Sequence, residues 1–286
     1  MPATFRFPKA IEGYVGQVPM FLTPIRQPDP KQVQVLAKVF KVEGEVVDEG
    51  AMYSIRGKDF ILHQFHASDS MRWVSRMHEA KSDTKALKIT NPKELQAIAD
   101  RFLAAQKLSD QRASFSQVVF GQAEISGAGA EKPKTMNTCA YVNYTYSLAR
   151  LPLLGPGAKI QVVIGYDGQV IGCYRFWREV KEGRLTKKTL PVLDVQKAFQ
   201  ECPNFAQLKT GSRVIVERAR QGYLTLPPSD FQGALIPVIE LRGFVSTRAI
   251  ERTSFIRYLV AIDYTDEELK RYSVFNKHFR GTCRVI

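Results

Sequence analysis

A chain of 286 residues with 44% hydrophobic and 24% charged residues has the composition of a folded globular protein, which excludes the disordered class. No run approaches the ~18 apolar residues of a membrane-spanning helix, and the opening MPATFRFPKAIEGYVGQVPMFL lacks the cationic lead and apolar block of a secretory signal. The formal net charge of +13 is spread along the chain, with Lys+Arg against Asp+Glu at 20 to 15 in residues 1–150 and 21 to 13 in 151–286. Such a field favours nucleic acid, anionic lipid or acidic proteins without choosing among them.

In chain order, PKQVQVLAKVF (30–40) predicts a first helix, with Asp29 as N-cap, Pro30 in the first turn and Val33, Leu36, Ala37 and Phe40 on one face. Strand-like runs follow near 45–56, 59–66 and 71–78. A second helix starts at Asn91-Pro92, where Glu94 completes a capping box before the stripe Leu95, Ile98, Ala99, Phe102 and Leu103. Strands near 113–125 and 138–149 follow, and then a hairpin, PGAKIQVVIGYDGQVIGCYRFWREV (156–180), folded about Asp167-Gly168. A third helix is expected near 195–202 after Asp194, with strands at 212–224, 231–246 and 254–264 behind it. A short helix near 266–273 opens at Thr265. The recurring order predicts an α+β protein of repeated units, each one helix packed on an antiparallel sheet. The expected units are 1–85, 86–188 and 189–286.

Catalytic and cofactor signals are sparse. The clusters GAGAEKPKT (127–135) and GPGAK (155–159) do not spell a phosphate-binding loop and read as turns. His63, His66, His78 and His278 form no metal-ligand spacing, although His66 and His78 could approach across a hairpin. No nucleophile elbow is present. The four cysteines, Cys139, Cys173, Cys202 and Cys283, lack C-x-x-C spacing and read mostly as free, buried thiols. A non-enzyme without cofactor or metal is therefore the expectation.

The hairpin carries the candidate site. A two-residue loop at 167–168 would pair Ile164 with Ile171 and Val162 with Cys173, sending these residues and Ile160 to a helix. The opposite face would hold Val163, Val170, Tyr174 and Phe176, with Trp177 and the cations Arg175, Arg178 and Lys181 beside them. These eight residues are the predicted partner-binding surface. Arg184, Lys187 and Lys188 extend its basic run. Aromatic residues beside cations also suit nucleic acid, while a charged edge strand would simply deter aggregation.

The hairpin, then LPVLDVQKAFQEC, then VIVERARQGYLTLPPSDFQGALIPVIELRGFV together resemble PepSY-like modules and the related YycI-type extracytoplasmic regulators, over about residues 85–246. The likeness rests on the Asp-Gly hairpin before a helix and on Gly222-Tyr223, Gln232, Leu235, Pro237, Val238 and Gly243. Ile239 departs from it, standing where an aromatic often follows the Pro-Val pair. The resemblance implies cystatin-like packing, a location outside the cytoplasm, and a binding, regulatory or protease-inhibiting role without a catalytic centre. The leading expectation is thus a module that binds another protein through sheet edges such as 169–180. Self-assembly through apolar sheet faces, or nucleic-acid binding through the basic run, stand behind it.

Overall fold

The computed structural model describes residues 3–24, 29–68, 70–79, 85–125, 134–181, 186–202, 208, 211–247 and 252–262. The expected helix at 266–273, the tail beyond it, His278, Cys283 and Arg184 lie outside these residues.

The first two predicted helices begin where their caps predict. Helix α1 (Pro30–Val39) is closed by Asp29, whose carboxylate accepts from Lys31 N at 2.9 Å. The four-residue α2 (Arg76–Glu79) follows, and then α3 (Pro92–Ala105), capped by Asn91 accepting from Lys93 N at 3.0 Å. Val33 and Ala37 of α1 and Leu95, Ala99 and Leu103 of α3 share one core with Val162, Ile164 and Cys173. Helix α4 (Val192–Gln200) starts directly after Pro191, which places Asp194 in its first turn instead of at its cap. Its Val195 and Phe199 sit in a second core with Val214, Ile239 and Leu241.

The repeated α+β, cystatin-like arrangement is overturned. Of the described residues, 49% are in strand and 16% in helix. Its strands are β1 (Thr4–Arg6), β2 (Gln17–Pro19), β3 (Phe21–Leu22), β4 (Val46–Asp48), β5 (Met52–Arg56), β6 (Phe60–Phe65), β7 (Met71–Ser75) and β8 (Ala113–Ile125). They continue as β9 (Lys134–Leu148), β10 (Leu151–Leu154), β11 (Lys159–Ile164), β12 (Val170–Phe176), β13 (Thr186–Lys188), β14 (Arg213–Leu224), β15 (Ala234–Ser246) and β16 (Thr253–Val260). Fourteen of them form one mixed sheet in the order β16-β15-β14-β10-β9-β11-β12-β7-β6-β5-β4, with β1 beside β14, β3 beside β15 and β8 beside β9. Strands from different expected units pair directly: β7 with β12, and both β10 and β1 in parallel with β14.

The decisive join is β10. Leu148 pairs with Leu151, so the chain reverses through Ala149 and Arg150 alone, both in the left-handed region (φ 47 and 66). Such turns ordinarily carry Asn-Gly or Asp-Gly, and Ala-Arg gives no such signal. The turn lays Leu153 and Leu154 on Tyr223 and Leu224, and Thr225 fastens the end by donating from N and Oγ1 to Leu154 O.

Apart from the Asp-Gly hairpin, the residues that carry the family resemblance lie in β14, β15 and the loop between them. Gln232 is buried there; its Oε1 accepts from Leu226 N at 3.0 Å and its Nε2 donates to Leu224 O and Ala234 O at 2.8 and 3.0 Å. Tyr223 is fully buried, with its hydroxyl on Pro19 O at 2.8 Å. Cys139 and Cys173 are free and buried, whereas Cys202 is disulfide-bonded. Among the described residues, no helix is long and apolar enough to cross a membrane.

Candidate functional site

The predicted hairpin exists, but its loop is one residue longer than expected. Gly165 N donates to Gln169 O at 2.8 Å and Gly168 N to Gly165 O at 3.1 Å, with Gly168 at φ 85 in the left-handed position of a three-residue loop. Ile164 therefore pairs with Val170, not Ile171. The register shifts between Val163 and Ile164, which restores the expected pairing of Val162 with Cys173. A one-residue slip exchanges faces. Val170 packs toward the α3 core, while Ile171 lines a small cavity with Tyr166 and His78 on the opposite side.

The eight predicted residues do not form one surface. Val163 is fully buried, paired with Tyr141 and Gly172, and α2 brings His78 to 3.5 Å from the Tyr141 hydroxyl. Tyr174 and Phe176 are half-buried on that side; Arg72 lies 5.6 Å from the Tyr174 ring centre, and Phe65 packs edge-on to Phe176 at 5.8 Å. Trp177 is buried against Tyr146 at 4.5 Å, with the Arg112 guanidinium 4.2 Å above it. Arg178 is buried too and donates to the carbonyls of Ala67, Leu226 and Pro227. The Lys181 side chain is exposed, while its backbone exchanges hydrogen bonds with Leu22. Strand β12 also pairs on both sides, with β11 and β7, so it offers no edge for an added strand. Of the predicted cations, Arg178 is interior and Lys181 is exposed beyond the end of β12.

Arg175 points the other way from Tyr174 and Phe176, as alternation along a strand requires. It helps line a cleft of about 410 Å³ between α1 and the sheet, with Gln64 and Met71 also on the sheet side. Leu36, Val35 and Gln32 of α1 form one wall and Leu108, after α3, closes another side. Arg175 pairs in register with Met71, and Met71 with Gln64, so the two polar side chains flank a methionine on one face. Gln64 is 6% exposed, and its Oε1 has no hydrogen-bond partner. The Arg175 Nε is likewise buried and unpartnered. The Asp110 carboxylate, which feels the Arg175 charge, is already bonded twice to the Arg112 guanidinium, at 2.9 and 2.7 Å.

The opposite face carries a polar row that crosses six strands in register: Asn143, Gln161, Tyr174, Arg72, His63 and Ser54. Gln161 donates to Asn143 at 2.8 Å, Arg72 to Glu79 at 2.7 Å, and Ser54 to Glu49 at 2.6 Å. Pattern reading along the chain could not assemble this row, because each strand supplies one member. His63 is buried, with its Nε2 unpartnered and its Nδ1 3.4 Å from Arg72. Burial first, then the charges of Arg72 and Arg56, hold its pKa below 6.5, against the opposing pull of Glu49 and Glu79. A histidine with a depressed folded pKa binds its proton more readily when unfolded, so stability falls as pH drops below about 6.5. Thermal unfolding from pH 7.5 to 5 should show this fall, and His63→Leu should flatten it. An equally steep fall in the variant would assign the acid sensitivity elsewhere.

His66 donates from Nδ1 to Gly50 O (2.9 Å) and packs on Tyr53, whereas His78 faces Tyr141, so the two histidines do not converge. Among the described residues no group of three His, Cys, Asp or Glu is placed to hold a metal ion.

No family model matches this sequence, and no curated protein does. A solved structure of an uncharacterized protein from Eubacterium rectale aligns with 91% of this chain and 88% of its own, with a TM-score of 0.52 at 8% identity. The likeness is one of fold.

Proposed function

We propose that this protein is a non-catalytic, regulatory binding module that takes an extended segment of another protein by strand addition along β8. The observation that carries this reading is the outer edge of β8. It is a 13-residue strand that, among the described residues, pairs only with β9. Sheet edges are ordinarily blunted by brevity, Lys or Pro. The two ends of the sheet follow that rule: β4 is three residues long and ends at Asp48, and β16 carries Arg257 with Arg252 just before it. Strand β8, ASFSQVVFGQAEI, has no Lys, Arg or Pro and one acid, Glu124, and it exposes Phe115 and Val119. A bulge at Ser116 interrupts it, which leaves 117–121 in regular register. Five residues of regular edge suffice for main-chain pairing, with Val119 supplying an apolar side contact. The PepSY-like resemblance implies the same kind of role.

A photocrosslinking residue at Gln117, in the full chain inside its native cells, should yield a discrete protein adduct. Val119→Lys should remove most of that adduct, because a lysine removes the apolar side contact and blunts the edge. An adduct pattern unaffected by Val119→Lys, or identical to that from a crosslinker at exposed Lys93, would sink the reading. If the adduct is a second copy of this chain, the edge serves self-assembly instead.

A further inference from the structure

We propose that the cleft between α1 and the sheet binds an apolar carboxylate carrying an adjacent N–H, the chemistry of a peptide's carboxy-terminal residue when its side chain is apolar. The carboxylate would sit on Arg175, the N–H would donate to Gln64 Oε1, and the side chain would lie among Val35, Leu36, Met71 and Leu108. This site is separate from the β8 edge, and either can fail alone.

Three observations converge on that ligand. The Arg175 guanidinium has a buried, unpartnered Nε, and the carboxylate of the nearby Asp110 is hydrogen-bonded to Arg112 instead. Buried polar groups are ordinarily hydrogen-bonded, and a bound ligand is one way to complete such a group. Gln64, more than nine-tenths buried, presents a carbonyl oxygen that needs a donor. Arg175 and Gln64 are two strand positions apart across Met71, roughly 10 Å between backbones. Their side chains lean into the same cleft and so bracket a carboxylate and an amide of one residue. The volume of about 410 Å³ falls in the range of small-ligand sites.

Charge selects carboxylate over phosphate. Arg175 is the one cation among the described lining residues, and four of the seven are aliphatic or Met. A single negative charge is neutralised there, whereas a dianion would keep one charge uncompensated against apolar walls. A bidentate guanidinium–carboxylate pair also matches the planar fork of arginine.

The test is calorimetric titration of the full chain with N-acetyl-Leu-Leu, with its carboxamide, and with decanoate. The acid should bind at least tenfold more tightly than the carboxamide, and Arg175→Gln should erase that preference. Gln64→Leu should weaken the dipeptide acid several-fold and leave decanoate unchanged, because decanoate has no N–H. Thermal melts confirm that each variant is folded, and the acid–carboxamide comparison on the unmodified protein needs no variant. Equal binding of acid and carboxamide, no binding of either at millimolar concentration, or a preference that survives Arg175→Gln overturns the proposal. Tighter binding of decanoate than of the dipeptide acid overturns the peptide assignment.

Discussion

Arg178→Met is expected to lower the free energy of unfolding by about 2–3 kcal/mol, measured by urea denaturation. Arg178 looks from the sequence like a surface cation in a partner-binding patch, yet it is 5% exposed. Its Nη1 donates to Ala67 O at 2.9 Å, and its Nη2 to Leu226 O at 3.2 Å and Pro227 O at 2.5 Å. Those carbonyls belong to the loop after β6 and to the loop between β14 and β15, so one guanidinium ties two loops to the end of β12. Burial pulls its pKa down to about 10, which still leaves it charged at neutral pH. Methionine keeps the length of the side chain and relieves that desolvation, but it takes the side-chain donor from Ala67 O and Leu226 O and leaves Pro227 O with Asp230 N alone. Lysine should fail almost as badly, because one ammonium cannot reproduce the planar spread of the fork. Gln232 holds the same loop through Leu226 N. The double variant with Gln232→Leu should therefore cost less than the sum of the two single changes. Unchanged stability in Arg178→Met would show that the clamp contributes nothing.

Gly243→Ala is expected to cost about 2–3 kcal/mol, because it forces backbone apart in the middle of the β14–β15 pair. A Cβ at Gly243 would lie 1.9 Å from Ile215 O and 2.9 Å from Val216 Cα. Both are main-chain atoms, so no rotamer change can relieve the contact. The close approach occurs where β14 carries an extra residue: Val216 pairs with Gly243, and Arg218 with Arg242. A bulge of this kind bends its strand and draws the two backbones together. Gly16→Ala is the control, since nothing lies within 4 Å of its added Cβ. It should change stability by less than about 0.5 kcal/mol. A Gly243→Ala variant as stable as the control would mean the strands can part at that point without loss.

Gly243 and Gln232, two of the residues behind the PepSY-like resemblance, have structural contacts in β14, β15 and their loop. Gly243, Gln232 and Tyr223 are legible in sequence because each meets a backbone requirement that few other residues can meet. They secure a β hairpin and its loop. The cleft residues Arg175 and Gln64 are ordinary strand residues about 110 positions apart, and their meaning lies in what they fail to contact. The β8 edge was legible as a strand, but its place at an edge depends on which strands pair elsewhere.

By itself the sequence determined the local structure. Asp29 and Asn91 start their helices because their side chains meet free N–H groups at once, and Asp167-Gly168 reverses the chain because glycine tolerates a positive φ. These are short-range effects, complete within a few residues. Tertiary structure alone decided the rest. The Ala149-Arg150 turn, unfavourable in isolation, is held because it lays β10 on β14, and that parallel contact helps join the would-be units into one sheet. The three-residue loop after Gly165 moves Val170 into the core and Ile171 out of it. Strand alternation then separates Arg175 from Tyr174 and Phe176, and the pairing of β12 with β7 sets Gln64 across Met71 from it. Pairing partners are chosen by burial summed over the whole sheet, a sum that no single segment of this chain contains.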